Sequence, residues 1–416
     1  MRSRSLPLIL AWALAGCVAT PESSPSASPA LIARTDTPPS TVAAPSSSAT
    51  PAPLPMGTRV PEAGVIYLIL GSQLIRYDGS TGSVTQLGSG AEFDRATATG
   101  TYVVPYGGRV SRIAWDGMMT RLDCGELLRR ASISASGDCA GVSGDLSLRI
   151  QQGRDAPRVV VPPGGGALDV AWRPDGREIA VVKRVGQFEN SLWVIAPDGT
   201  GREVYAAPRG SNGDTLYWPT WSPDGSVIAV VLNRSGSFSL GADGGTSLLL
   251  ISYPSGTVAD LGLVPLTRDR IRWSGDGTLA FVRGAGREPA TNRKVILRDR
   301  DGTETSLGSS AVADHPAWDP AGVRTALTET DETGTRFTVV DRRDSGRASF
   351  VCPSGEAMGA RWAKDGDRLL LLCHEKGSDV SELWLRRFTG ASERLMTVPH
   401  GFVELFRTLT WSEAVP

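Results

Sequence analysis

Histidine is scarce in this 416-residue chain. His315, His374 and His400 fall at unrelated strand and loop positions, with no metal-ligand spacing among them, so neither a metal centre nor a cofactor is expected. Net charge is equally scant. Lys plus Arg (43) nearly cancel Asp plus Glu (44), so no field of one sign steers the chain toward nucleic acid or an anionic bilayer. A Gly-x-Ser-x-Gly elbow is missing, which speaks against a serine hydrolase. Asp299, Asp301 and Gly302 open like a calcium loop, but the acid that would close one is lacking, so they read as a hairpin turn.

What is present begins at the N-terminus. Arg2 and Arg4 precede an apolar run from Leu6 to Leu14, too short to span a bilayer and shaped like a signal peptide. Leu14, Ala15, Gly16 and Cys17 resemble a bacterial lipobox, which implies that residues 1–17 are a leader and that the Cys17 thiol receives diacylglycerol. Each buried methylene of such a lipid contributes about 0.8 kcal/mol, so two or three acyl chains would hold the mature chain on a membrane surface. The expected location is the outer face of the cytoplasmic membrane or the outer membrane. Residues 18–61 are almost entirely Ser, Thr, Pro and Ala, with too few large apolar side chains to offset the entropy of ordering, and read as a disordered stalk. Residues 62–416 read as one folded domain.

Within that domain 48 Gly, 28 Pro and 11 Trp, the counts for the whole chain, suit many short strands separated by turns. Aligning the Trp residues exposes a repeat. Trp221-Ser222-Pro223-Asp224-Gly225 is its fullest copy, followed by the apolar run Val227 to Leu232; Trp172-Arg173-Pro174-Asp175-Gly176 is the next. Weaker copies start at Trp273, Trp318 and Trp362, degenerate ones at Ala96 and Ile133, and a last one at Trp411. In each, an apolar strand reaches the anchor, Pro and Asp-Gly make a tight turn, and a β-rich strand leaves it. A sheet of four such strands cannot bury both faces alone and must stack on its neighbours. The fold class expected is therefore all-β, a β-propeller of four-stranded blades. Residues 65–87 contain three strands with no anchor strand before them, and Leu405 to Trp411 is an anchor strand with nothing after it. Joined, they would close the ring as an eighth blade and remove its open edge; seven blades is the alternative, should one degenerate copy not be a blade.

The repeat resembles that of the TolB-like, WD40-like propellers, over roughly residues 64–413. The resemblance implies the propeller fold; the tether, the propeller and the missing catalytic set together lead to the expectation of a binding or scaffold role on a propeller face, with an envelope protein or glycan as partner, a monomeric state and no enzymatic activity. The alternative is an extracytoplasmic enzyme acting on a polyanionic glycan. Candidate binding residues stand one and three positions before the anchors, where an inner strand can present them to a central channel: Asp169, Arg270, Arg272, His315 and Arg361. A second candidate surface is the rim of long polar loops, with Arg184, Glu189, Arg234, Arg283, Arg287, Glu288, Glu329, Asp331, Glu332 and Glu375. Once Cys17 is assigned to lipid, Cys124, Cys139, Cys352 and Cys373 remain, an even number for an oxidising compartment. Each neighbouring pair joins the end of one blade to the second strand of the next, so Cys124–Cys139 and Cys352–Cys373 are the candidate bridges, with buried free thiols as the open alternative.

Overall fold

The structure, a computed structural model, describes residues 57–399 except 71–72, 90, 98–99, 106–108, 115–117, 123, 125–127, 187–188, 209–213, 235–245, 266–269, 285–292, 309–311 and 389. The leader, the lipobox, most of the stalk, His400 and the strand expected at Leu405 to Trp411 lie outside the described residues. Among those described there is no α-helix, only one short 3-10 turn, Pro61–Ala63, and 31 strands. The strands form eight antiparallel sheets: sheet 1 (65–89), sheet 2 (91–121), sheet 3 (128–161), sheet 4 (167–206), sheet 5 (215–263), sheet 6 (271–307), sheet 7 (312–351) and sheet 8 (356–399). Sheets 2 to 8 have four strands each, paired in chain order, and sheet 1 has three. The degenerate copy around Ala96 is therefore a full sheet, and eight rather than seven is the number.

Period-2 alternation explains the stacking. In Val227–Asn233, the second strand of sheet 5, Ile228, Val230 and Leu232 enter the core shared with sheet 4, while Ala229 and Val231 enter the core shared with sheet 6. Sheet 8 repeats the device: Leu370 and Leu372 face sheet 1, whereas Leu369 and Leu371 face sheet 7. Strands buried on both faces read as continuous apolar runs. Each pair of consecutive sheets shares one apolar cluster, and an eighth cluster joins sheet 8 to sheet 1, with Ile66, Leu68, Leu370 and Leu383 among its members. Among the described residues, eight sheets stacked in that order are consistent with an eight-bladed propeller.

The anchor tryptophans sit at the joins. The indole N–H of Trp221 donates to the Ala171 carbonyl at 3.1 Å, that of Trp318 to Arg272 at 3.2 Å, and that of Trp362 to Ala317 at 3.0 Å. Each acceptor immediately precedes the anchor of the preceding sheet, so one bond type recurs at these three joins. At the turn beyond, Ser222 donates to Asp224 at 2.7 Å, and this bond, with the Ser226 contacts and Arg300 nearby, outweighs burial and holds the Asp224 carboxyl down at about 2.

One boundary differs from the composition-based expectation. Residues 57–61, assigned to the stalk, belong to the folded unit, because Val60 is 1% exposed in the cluster between sheets 8 and 1. Their Ser/Thr/Pro-rich neighbourhood hides one well-buried side chain, and composition averages cannot see it.

The structure joins Cys124 to Cys139 and Cys352 to Cys373, with Cα separations of 5.6 and 5.8 Å. A crosslink closing 15 residues, as the first does, restricts the unfolded chain by about 3 kcal/mol. Reduction is therefore expected to lower the denaturant midpoint, and thiol alkylation before and after reduction should differ by four labels. Equal labelling in the two states would mean that the thiols are free.

Candidate functional site

The first strands of neighbouring sheets pack on one another, while fourth strands such as Gly201–Ala206 and Glu304–Leu307 are largely exposed, so the first strands form the inner wall. The position three before the anchor is held by Asp169 in sheet 4, Trp218 in sheet 5, Arg270 in sheet 6 and His315 in sheet 7. In sheets 4, 5 and 7 the ladder breaks register here: a bulge separates Ala167 from Asp169, Tyr217 from Thr220, and Asp314 from Ala317. Trp218 and His315 adopt left-handed φ values of 53° and 54°, each directly before a proline (Pro219, Pro316). For non-glycine residues this costs about 1–3 kcal/mol and persists only where the surroundings enforce it. A bulge re-aims its side chain out of the regular alternation.

Two carboxylates enforce these bulges. Asp169, 8% exposed, accepts the backbone N–H of Val170 at 2.9 Å and, across the sheet boundary, that of Trp218 at 3.0 Å. Asp314 accepts the His315 backbone N–H at 2.8 Å and takes two guanidinium groups: Arg293 Nη1 at 3.0 Å, and Arg270 Nε from sheet 6 at 2.6 Å as a charge contact rather than an aligned hydrogen bond. Burial alone would raise the Asp314 carboxyl. The charges of His315, Arg270 and Arg293 outweigh it and hold the group below its ordinary value. The His315 ring Nδ1 lies 3.4 Å from Thr328 Oγ1 and 3.8 Å from Asp314.

Of the five residues chosen from sequence, the structure thus brings Arg270 and His315 onto one carboxylate and sets Asp169 three sheets away from it, on sheet 4 of the same wall. Arg272 and Arg361 are half-buried on the same class of strand; the backbone carbonyl of Arg272 receives the Trp318 indole, and Arg361 Nη1 donates to the Ala360 carbonyl at 2.8 Å. Three contributors escaped the sequence reading. Trp218 occupies the same register position and was legible had aromatic residues been counted with polar ones. Asp314 stands one residue further back, where the bulge overrides alternation. Arg293 precedes a third strand and gives no signal at all.

Four of the rim charges are engaged within their own sheets. Arg234 pairs with Asp260 at 2.7 Å, and Arg283 grips Glu304 with two bonds of 2.8 and 3.0 Å. Glu329, 1% exposed, accepts Thr338 Oγ1 at 2.7 Å, and Asp331 pairs with Arg336 at 2.5 Å. Arg287 and Glu288 lie outside the described residues. Asp299, Asp301 and Gly302 form a hairpin turn in which Asp301 accepts the Thr303 N–H at 2.8 Å. Among the described residues no group of three or more His, Cys, Asp or Glu is placed to hold a metal ion.

Fold and wall together define the class as a β-propeller. No family model matches the chain. Among curated proteins it is 36% identical, over 69 residues, to the Tol-Pal system protein TolB of Alcanivorax borkumensis; the match spans 17% of this chain and only 15% of that relative. Among solved structures, a eukaryotic initiation factor aligns with 82% of this chain and 87% of its own at TM-score 0.52 and 13% identity. Porphyromonas gingivalis dipeptidyl peptidase 4 aligns at TM-score 0.50 and 12% identity, over 82% of this chain and 52% of its own. TolB of Acinetobacter baumannii is also a structural neighbour, with TM-score 0.35, 14% identity and coverage of 74% and 78%. At such identities the likeness is one of fold.

Proposed function

We propose that this chain is an exported propeller, anchored through Cys17 on the outer face of the cytoplasmic membrane or in the outer membrane, that binds a protein or cell-envelope glycan as a monomer. Its binding surface is the inner wall across sheets 4 to 7, with Trp218, Arg270 and His315 at its centre. In the same reading, Leu405 to Trp411 supplies the fourth strand of sheet 1 and closes the ring.

The observation that carries binding over catalysis is the state of the wall's ionisable groups. Asp314 is pressed among three cationic or ionisable partners and is kept ionised. A carboxyl held below its ordinary value is a poor carrier of protons near neutral pH, whereas a general acid or base needs a pKa near the working pH. Asp169 has each oxygen engaged by a backbone N–H. Groups fixed in this way suit recognition: guanidinium and imidazole edges are preorganised for anionic or hydrogen-bonding ligands, beside an aromatic face that offers contact area at little entropic cost.

Crosslinking of intact envelopes followed by affinity capture tests the proposal. A stoichiometric partner is expected from the wild-type chain and should be lost with Trp218→Ala or His315→Ala in protein that melts as wild type. Turnover of a polysaccharide panel, abolished by Arg272→Ala, would replace the binding reading with an enzymatic one.

A further inference from the structure

Sheets 8 and 1, the last and the first of the described chain, share one apolar join. Residues 57–63 lie on that join and touch both sides of it. Toward sheet 8, the Thr58 backbone N–H donates to the Leu395 carbonyl at 2.7 Å, Arg387 Nη2 bonds Glu62 Oε2 at 2.7 Å, and an Arg368 guanidinium nitrogen donates to the Glu62 carbonyl. Toward sheet 1, the Tyr77 hydroxyl donates to the Thr58 carbonyl at 2.6 Å, and just past the segment the N–H of Gly79 donates to the Gly64 carbonyl at 2.7 Å. Val60 (1% exposed) and Ala63 (0%) fill the cluster from between.

The fit is close. A Cβ on Gly79 would collide with the Val60 carbonyl oxygen, so the glycine is what lets the segment lie against the first hairpin. The Glu62–Arg387 pair is half exposed, with side-chain exposures of 35% and 51%. Such a pair contributes little by itself, and the buried Val60 and Ala63 carry more of the attachment.

We infer that residues 57–63 form a strap that locks sheet 1 to sheet 8, so that the ring opens at this join when the strap is displaced. The strap directly follows the Ser/Thr/Pro-rich stretch that begins after Cys17. Load on a membrane tether would therefore enter the fold at its closing join rather than in the middle of a sheet. That mechanical consequence rests on anchoring at Cys17; the strap itself does not.

Hydrogen exchange on the mature chain tests the lock without any membrane. Val60→Asp, and independently Gly79→Val, should speed amide exchange in sheets 1 and 8 at least tenfold while leaving sheets 4 to 6 within twofold of wild type. Glu62→Gln, a milder change that keeps the backbone bonds, should give a smaller acceleration in the same two sheets. Uniform acceleration across all eight sheets, or none in sheets 1 and 8 with Val60→Asp in a folded protein, would overturn the strap. If the local acceleration is found but the protein extracts into buffer without detergent, the strap stands and the anchoring falls.

Discussion

Asp314→Ala is expected to destabilise the protein by about 3–5 kcal/mol, because it strips the shared carboxylate from Arg270 and Arg293 and leaves two charges buried without it. The side chains of Asp314, Arg270 and Arg293 are 8%, 12% and 6% exposed, so water does little to replace what is removed. Denaturant titration of wild type and variant at constant slope measures the loss, and a change under about 1 kcal/mol would show that the triad is not under strain of this kind. The pH dependence carries a sign as well. The Asp314 carboxyl is lowered in the folded state from its ordinary 3.8, so its contribution is fully present above that value and is lost as the pH falls through the still lower folded pKa. Asp314→Asn should therefore flatten the acid limb of the stability profile as well as lower its plateau.

Trp362→Ala should cost a similar amount, about 3–5 kcal/mol, for a different reason. The indole is 8% exposed, fills the cluster between sheets 7 and 8, donates to the Ala317 carbonyl, and supports the Arg324 guanidinium 4.6 Å above its ring. Removing it leaves a cavity at a join and takes one donor away from the Ala317 carbonyl. Trp362→Phe keeps most of the volume and loses mainly the hydrogen bond, so about 1 kcal/mol is expected. Thermal or urea melts of the two variants separate packing from bonding; equal losses would mean that the indole N–H rather than the ring volume holds the join.

Both residues belong to the inner wall, yet they differ in how visible they are. Trp362 sits in a repeat whose spacing announces it, because every sheet meets the same steric demand at the same point along its first strand. Asp314 has no such recurrence: its counterpart in sheet 4 is Asp169, one register position later, and in sheet 5 the place goes to an aromatic residue. Bulges of this sort shift which side chain faces inward, and a pattern of alternation cannot report its own interruptions. The rim misleads in the opposite direction. Arg283 and Glu304 are 21 residues apart in sequence, and nothing in either neighbourhood reveals that the two charges meet within one sheet, across the strand Lys294–Arg298 that lies between theirs, instead of facing a partner.

The sequence by itself determined the all-β class, the sheet repeat, the Trp joins and the strands of the first sheet, since these follow from local alternation and turn chemistry that each segment carries within itself. Only the tertiary structure decided that Arg270, Arg293 and His315 converge on Asp314, that rim charges such as Arg283 and Asp331 are paired within their own sheets, and that residues 57–63 bind the last sheet to the first. These are contacts between segments far apart along the chain, and their geometry is set by how sheets stack, which no local pattern encodes.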